Sequence, residues 1–240
     1  QYVNNDACYP SILSVGQLME AVLSGRYDTD KLALIMTQTG GCCRASNYVA
    51  FIRRALDKAG LGHIPVISLN LNGMEKNSGF HVSPAMGLAA LRQLVIGDLL
   101  MRCLYRTRPY EAVPGSANAL HAKWRDIAAA YAMGEKTGYT YGGICRGIVA
   151  DFDALALNES LCKPRVGIVG EILVKYMPLA NNYLVDLLEQ EGAEAVVPDL
   201  TDFLIECIYQ QSYKHDYLGT PWTSSLLAKA GTAAIEAVRK

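Results

Sequence analysis

Apolar positions alternate between helical stripes and short continuous runs, and this alternation divides the chain into three stretches. From Ser11 to about Ser24, Ile12, Val15, Leu18, Val22 and Leu23 make an apolar stripe. That spacing predicts an amphipathic helix with Pro10 in its first turn. Lys31 to Thr37 is short and almost continuously apolar, the mark of a parallel strand covered on both faces. A Gly-rich turn follows, then a predicted helix from about Ala45 to Ala59 ending at Gly60, then a second strand at Ile64–Leu69. Strand, helix, strand is a βαβ unit, whose crossover is expected to be right-handed.

From about Ser83 to Asn158 the pattern is helical throughout. Ser83-Pro84 reads as a helix start, Ala85 to Arg106 as one long helix or two broken near Gly97, and Pro109 as its end. Ser116 is placed to cap a further helix running to about Met133. The α/β pattern returns with a strand from Pro164 to Glu171, a helix from Leu179 to Glu191 and a strand over Gly192–Pro198. Helices from about Asp199 to Tyr213 and from Ser224 to Arg239 finish the chain. The expected fold is α/β. Two small parallel-sheet lobes of flavodoxin or Rossmann type, residues 1–82 and 164–240, are joined by a helical connector over 83–163. The opening Gln1-Tyr2-Val3-Asn4-Asn5 reads like the end of a strand and its loop, and the last helix has no partner strand. Both features suggest a fragment of a longer protein with an incomplete second sheet.

Composition narrows the classes of function. With 51% hydrophobic and 19% charged residues among 240, the chain is globular. A net charge of −1 without a basic run gives no electrostatic footprint for nucleic acid or an anionic membrane. No apolar stretch is expected to reach the roughly 20 residues that span a bilayer, and no charged-then-apolar leader is seen, so a cytoplasmic location is expected. Seven cysteines at irregular spacing do not form a secreted disulfide framework, and reduced thiols, free or metal-bound, are expected instead.

The chemistry then rests on two thiol-bearing turns that open helices, Ala7-Cys8-Tyr9-Pro10 and Thr37 to Cys43. A helix start offers unpaired N–H groups and the positive end of the peptide dipole, which favour thiolate. Both turns fall at strand-to-helix switches, where open α/β sheets place ligands. Zinc is disfavoured because there is no C-x-x-C pair and the four histidines lack an H-x-x-x-H spacing. Iron-sulfur clusters accept single cysteines from separate segments. Adjacent Cys42 and Cys43 diverge, and Cys43 is nearer the helix start. A vicinal disulfide, a redox-sensing thiol or a plain buried pair are the competing readings. Cys103 and Cys207 are expected at buried helical positions, while Cys145 and Cys162 remain unassigned. Gly40-Gly41 either holds an anion on its N–H groups or merely permits a tight turn. Glu171, at the end of the second lobe's first strand, is a candidate binding carboxylate with Asn181 nearby. There is no Walker loop, no G-x-G-x-x-G and no G-x-S-x-G elbow.

Several segments together resemble a family. Tyr2 to Pro10, the turn from Thr37 to Asn47 with the following Tyr48, Gly97-Asp98-Leu99-Leu100-Met101, Arg108-Pro109-Tyr110-Glu111, Gly170 to Lys175 and Ala180-Asn181-Asn182 are similar to the acyl-CoA dehydratase activase-related proteins. The cluster-bearing part of these proteins is similar to subunits of 2-hydroxyglutaryl-CoA dehydratase and benzoyl-CoA reductase. The resemblance implies iron-sulfur-dependent, low-potential electron transfer to acyl-CoA chemistry, with an ATP-hydrolysing activator domain or subunit as partner. It implies Cys8 and Cys43 as cluster ligands and Cys42 next, since relatives commonly carry glycine where Cys42 stands. The activator's nucleotide motifs are missing, so this chain is not expected to hydrolyse ATP. The turn Pro198-Asp199-Leu200-Thr201-Asp202 also lacks the cysteine that the dehydratase subunits carry there. Alternatives are a cofactor-free scaffold that docks an ATPase or partner subunit, and an acyl-CoA-binding module with a pocket between the two α/β lobes.

Overall fold

A computed structural model describes residues 2–39, 43–70, 75 and 80–239. The protein is mixed α/β with two small parallel two-stranded sheets. It divides into two compact units, Gln1–Val82 and Ser83–Lys240, each of which is described by itself.

In the N-terminal unit, helix α1 (Tyr9–Leu23) begins with proline in its first turn, where a missing N–H costs nothing. Strands β1 (Leu34–Thr37) and β2 (Val66–Leu69) pair in parallel, with Leu34 opposite Val66 and Thr37 opposite Leu69. Helix α2 (Tyr48–Lys58) makes the crossover. Val15, Met19 and Val22 share one face of α1, Val49, Ile52 and Leu56 one face of α2, and the two stripes close into a core with Leu34, Ile64 and Val66. Each such fully buried aliphatic side chain contributes about 1.5–3 kcal/mol. Coverage of β1 on both faces is corrected, because Ile35 is 47% exposed and only the Leu34 side meets the core. Residues from Lys31 to Ala33 are not strand, because a 3-10 turn over Thr29–Lys31, capped by Asp28, delays its start.

The C-terminal unit is organised by helix α3 (Pro84–Thr107), capped by the Ser83 hydroxyl, which accepts from the Met86 N–H at 3.2 Å. The helix is continuous through Gly97. Together with the 3-10 turn that follows, Pro84–Tyr110 is long and apolar enough to cross a membrane by length and composition, with a mean hydropathy of 1.3. The expectation that no stretch approaches this length is therefore corrected. Helices α4 (Ser116–Ala132) and α5 (Tyr141–Asp153) pack on α3 around Trp124, Ile96, Leu100, Ile144 and Ile148. Strands β3 (Arg165–Gly167) and β4 (Glu194–Val196) pair in parallel, with helices α6 (Ile172–Tyr176) and α7 (Leu184–Gln190) between them. Helices α8 (Leu200–Leu218) and α9 (Trp222–Arg239) form a hairpin that also meets α3.

Ser116 does not cap α4. Gly115 occupies the cap position at φ 87°, where a side chain would be strained, and Glu111 supplies the acceptor. Its carboxylate accepts from the Gly115 N–H at 2.6 Å, the Ala117 N–H at 2.8 Å and the Ser116 hydroxyl at 3.2 Å. Burial works against the charge, but these donors outweigh it and hold the carboxyl below its ordinary 4.5.

Two predictions follow from this packing. A Cβ on Gly147 would sit inside the Trp124 ring. Gly147→Ala is therefore expected to destabilise the unit by about 1–3 kcal/mol in denaturant titration. Because the folded pKa of Glu111 is depressed, its stabilisation is whole above the unfolded pKa near 4.5 and is lost as pH falls through the lower folded value. Thermal unfolding measured between about pH 6 and pH 2 should show this component in the wild type and lose it in Glu111→Gln.

Candidate functional site

The carboxyl edge of the β1–β2 sheet carries the first thiol turn. α2 returns from the end of β1, so the turn before it must lie at that edge. Cys43 is exposed and takes an extended backbone at the cap of a 3-10 turn, Arg44–Asn47, that runs into α2. Its Sγ accepts from the Ala45 N–H at 3.5 Å. Beneath it lies a buried polar ladder. The Gln38 amide donates to the Ser46 carbonyl at 2.8 Å, the Ser68 hydroxyl donates to Gln38 Oε1 at 2.7 Å, and the Asn70 amide donates to the Ser68 hydroxyl at 2.8 Å. The Gln38 N–H also extends the strand pairing to the Leu69 carbonyl at 2.9 Å. Gln38 and Ser68 are buried polar groups, and their mutual bonds make that burial affordable. Sequence reading missed this ladder. The signal was Ser68 and Gln38 standing at the ends of otherwise apolar strand runs.

Cys8 is the cap residue of α1, and its Sγ lies 2.9 Å from the Oγ of buried Ser11. Ala7, the residue before it, lines a cleft together with Phe51 in the first turn of α2. Gly40, Gly41 and Cys42 lie outside the described residues. Among the described residues, no three His, Cys, Asp or Glu side chains come together as a metal-binding group.

The other cysteines sit in different surroundings. Cys103 packs against the apolar core of the C-terminal unit, and burial, reinforced by Asp153, pushes its thiol up to about 11. Burial likewise pushes Cys145 up. These two remain protonated thiols at neutral pH. Cys207 corrects the sequence reading, being exposed, as is Cys162.

Glu171 and Asn181 are both engaged in holding backbone. Glu171 caps α6, its carboxylate accepting from the Val174 N–H at 2.9 Å. The Asn181 amide donates to the Val174 and Lys175 carbonyls at 2.9 and 3.2 Å, and its oxygen accepts from the Leu184 N–H at 3.1 Å. Asn182 and Tyr183, just beyond, hold the left-handed conformation at φ 57°. Such a turn costs non-glycine residues roughly 1–2 kcal/mol each, and Asn181 offsets part of that.

The other motif residues of this unit behave alike. Arg108 forks onto Glu189 at 2.7 and 3.0 Å and reaches Asp186 at 3.0 Å, tying the end of α3 to α7. The Tyr110 hydroxyl donates to Glu194 in β4 at 2.9 Å. Asp98 accepts from the Leu200 and Thr201 N–H groups at 2.9 and 2.8 Å, capping α8 from α3.

Compared with known proteins, the chain matches no family model, no curated protein and no solved structure.

The two classes of thiol should separate chemically. With the native protein at pH 8, Cys43 is expected to take up iodoacetamide at least about tenfold faster than Cys103, because the thiolate is the reactive form and access favours Cys43. Peptide mapping of the labelled protein checks this. Equal labelling of both before unfolding would contradict the placement.

Proposed function

We propose that this chain is a component of the 2-hydroxyacyl-CoA dehydratase system, related to its activases, and that Cys8 and Cys43, with Cys42 beside them, are iron-sulfur cluster ligands. The observation that carries the reading is the position of the two thiols, each at the cap of a helical turn that follows an irregular segment. Their donor chemistry suits iron, since thiolates from separate loops are the usual ligands of such clusters. Cys8 and Cys43 are two of the four thiolates such a cluster takes, so with Cys42 as a third at least one further ligand, from this chain or another, completes the set. When bound, the cluster would supply one-electron transfer at low potential.

The chain's own residues have three tasks in this proposal. The Gln38–Ser68–Asn70 ladder holds the Ser46 carbonyl, and with it the 3-10 turn that Cys43 caps, to the sheet edge. Ala45 N–H donates to the Cys43 sulfur, which stabilises negative charge there. Cys8 stands at the cap of α1, where its sulfur meets the Ser11 hydroxyl at 2.9 Å and takes no N–H of the first turn, so the helix dipole alone would offset charge on this thiolate. The ATP-hydrolysing activator and the acyl-CoA ester belong to the proposal as partner and substrate class, and the cytoplasm as its location.

A docking role without a cofactor is the second reading, and the surface of α8–α9 favours it. Tyr209, Tyr213 and Tyr217 recur every fourth residue and are exposed, and the rings of Tyr213 and Tyr217 lie 4.5 Å apart. Trp222 and Leu226 add to the exposed apolar surface on α9. Surfaces of this kind mark contacts with other proteins.

Iron analysis after anaerobic reconstitution separates the readings. Cys8→Ser and Cys43→Ser should each lower bound iron by half or more, while exposed Cys207→Ser should leave it unchanged. Equal iron in all three variants would favour the docking reading.

A further inference from the structure

The second face of α2 borders the core only through Phe51, which is partly buried against it. Val49, Ile52 and Leu56 point into the sheet-facing cluster, whereas Phe51, Arg54 and Lys58, at spacings of three and four, share another face. That face forms one wall of a cleft of about 810 Å³, and Tyr2, Val3, Asn4 and Ala7, from the segment preceding α1, form the other. The volume lies within the roughly 300–1,000 Å³ of ordinary small-molecule sites. Arg54 and Asp57 are exposed and have no ion-pair partner among the described residues. Neighbouring Arg53, by contrast, is taken up by Glu75 at 2.7 Å and by the Val66 carbonyl at 3.2 Å.

We propose that this cleft binds a nucleotide, with the base against the Phe51 and Tyr2 rings and the phosphates at Arg54. Three properties of the lining select that class. Tyr2 and Phe51 are partly buried against the core, and the part of each ring left in the cleft lining offers flat apolar area to a planar base. The guanidinium of Arg54 presents a planar fork that matches phosphate oxygens. The carboxylate of Asp57 and the amide of Asn4 provide an acceptor and a mixed donor-acceptor for a base edge. A chain of net charge −1 carries no continuous basic track, so the fit is to a free nucleotide and not to a nucleic acid polymer. The inference is independent of the cluster reading, because none of its residues is a cysteine.

Titration calorimetry of the 240-residue chain with ADP, adenosine and inorganic phosphate tests it. Saturable ADP binding, tighter than that of adenosine or phosphate alone, is expected. Arg54→Ala should weaken it about tenfold or more. Phe51→Leu, which keeps the packing and removes the ring, should weaken ADP and adenosine together while leaving phosphate unchanged. Both variants should keep the wild-type unfolding temperature within a few degrees, so that lost binding is not lost folding. No heat at millimolar ADP, phosphate binding as tight as ADP, or ADP affinity unchanged in both variants would overturn the proposal.

Discussion

The C-terminal unit depends on one carboxylate set in the middle of an apolar helix. Asp98 is 7% exposed, and burial of that charge is costly unless every oxygen is engaged. It is engaged by the start of α8, through the Leu200 and Thr201 N–H groups and the Thr201 hydroxyl at 2.7 Å. The constraint works both ways. The helix start has its orphan donors satisfied by a side chain roughly a hundred residues earlier in sequence, and α3 can hold Asp98 only while α8 stays docked. With Asp98 in that role, Asp199 is left to pair with Arg102 and Arg239, which ties the last helix to the same point. Further along α3, Arg108 and Tyr110 clasp α7 and β4 in the same manner.

This pattern changes the weight of the family resemblance. Most of the segments that carry it in this unit, around Asp98, Arg108, Glu111, Glu171 and Asn181, cap helices or tie elements together. In this chain their roles are those of backbone support, with no chemistry assigned to them. In the N-terminal unit Cys8 and Cys43 lie outside the buried core, and the chemical proposal accordingly rests there.

Much of this fold was legible in the sequence, and the failures have physical causes. Pro10 and the Ser83-Pro84 pair marked helix starts because proline at a first turn and a serine cap act locally. The parallel pairing of β1 and β2 followed from a helix placed between two apolar runs. Cys207 was misplaced because its stripe is apolar, yet α8 meets α9 through small residues. Ser212 and Ser225 are buried with their hydroxyls 3.3 Å apart, and Ile208 lies over Gly231. Close approach of the helices turns the bulky side chains outward. The capping of α4 by Glu111 and of α8 by Asp98 could not be read from local signals, because the acceptors lie outside the helices they cap. At the thiol turn, the Gln38–Ser68 bond was hidden because it joins residues on different strands whose register only the fold defines.

The central claim is that the two thiol turns hold iron. Anaerobic reconstitution of the wild-type chain and of a variant with Cys8, Cys42 and Cys43 all replaced by serine, followed by visible absorption spectra and iron analysis after desalting, tests it most directly. The account predicts sulfur-to-iron charge-transfer absorption with bound iron in the wild type and neither in the variant. The same spectrum and iron content in both proteins would contradict it.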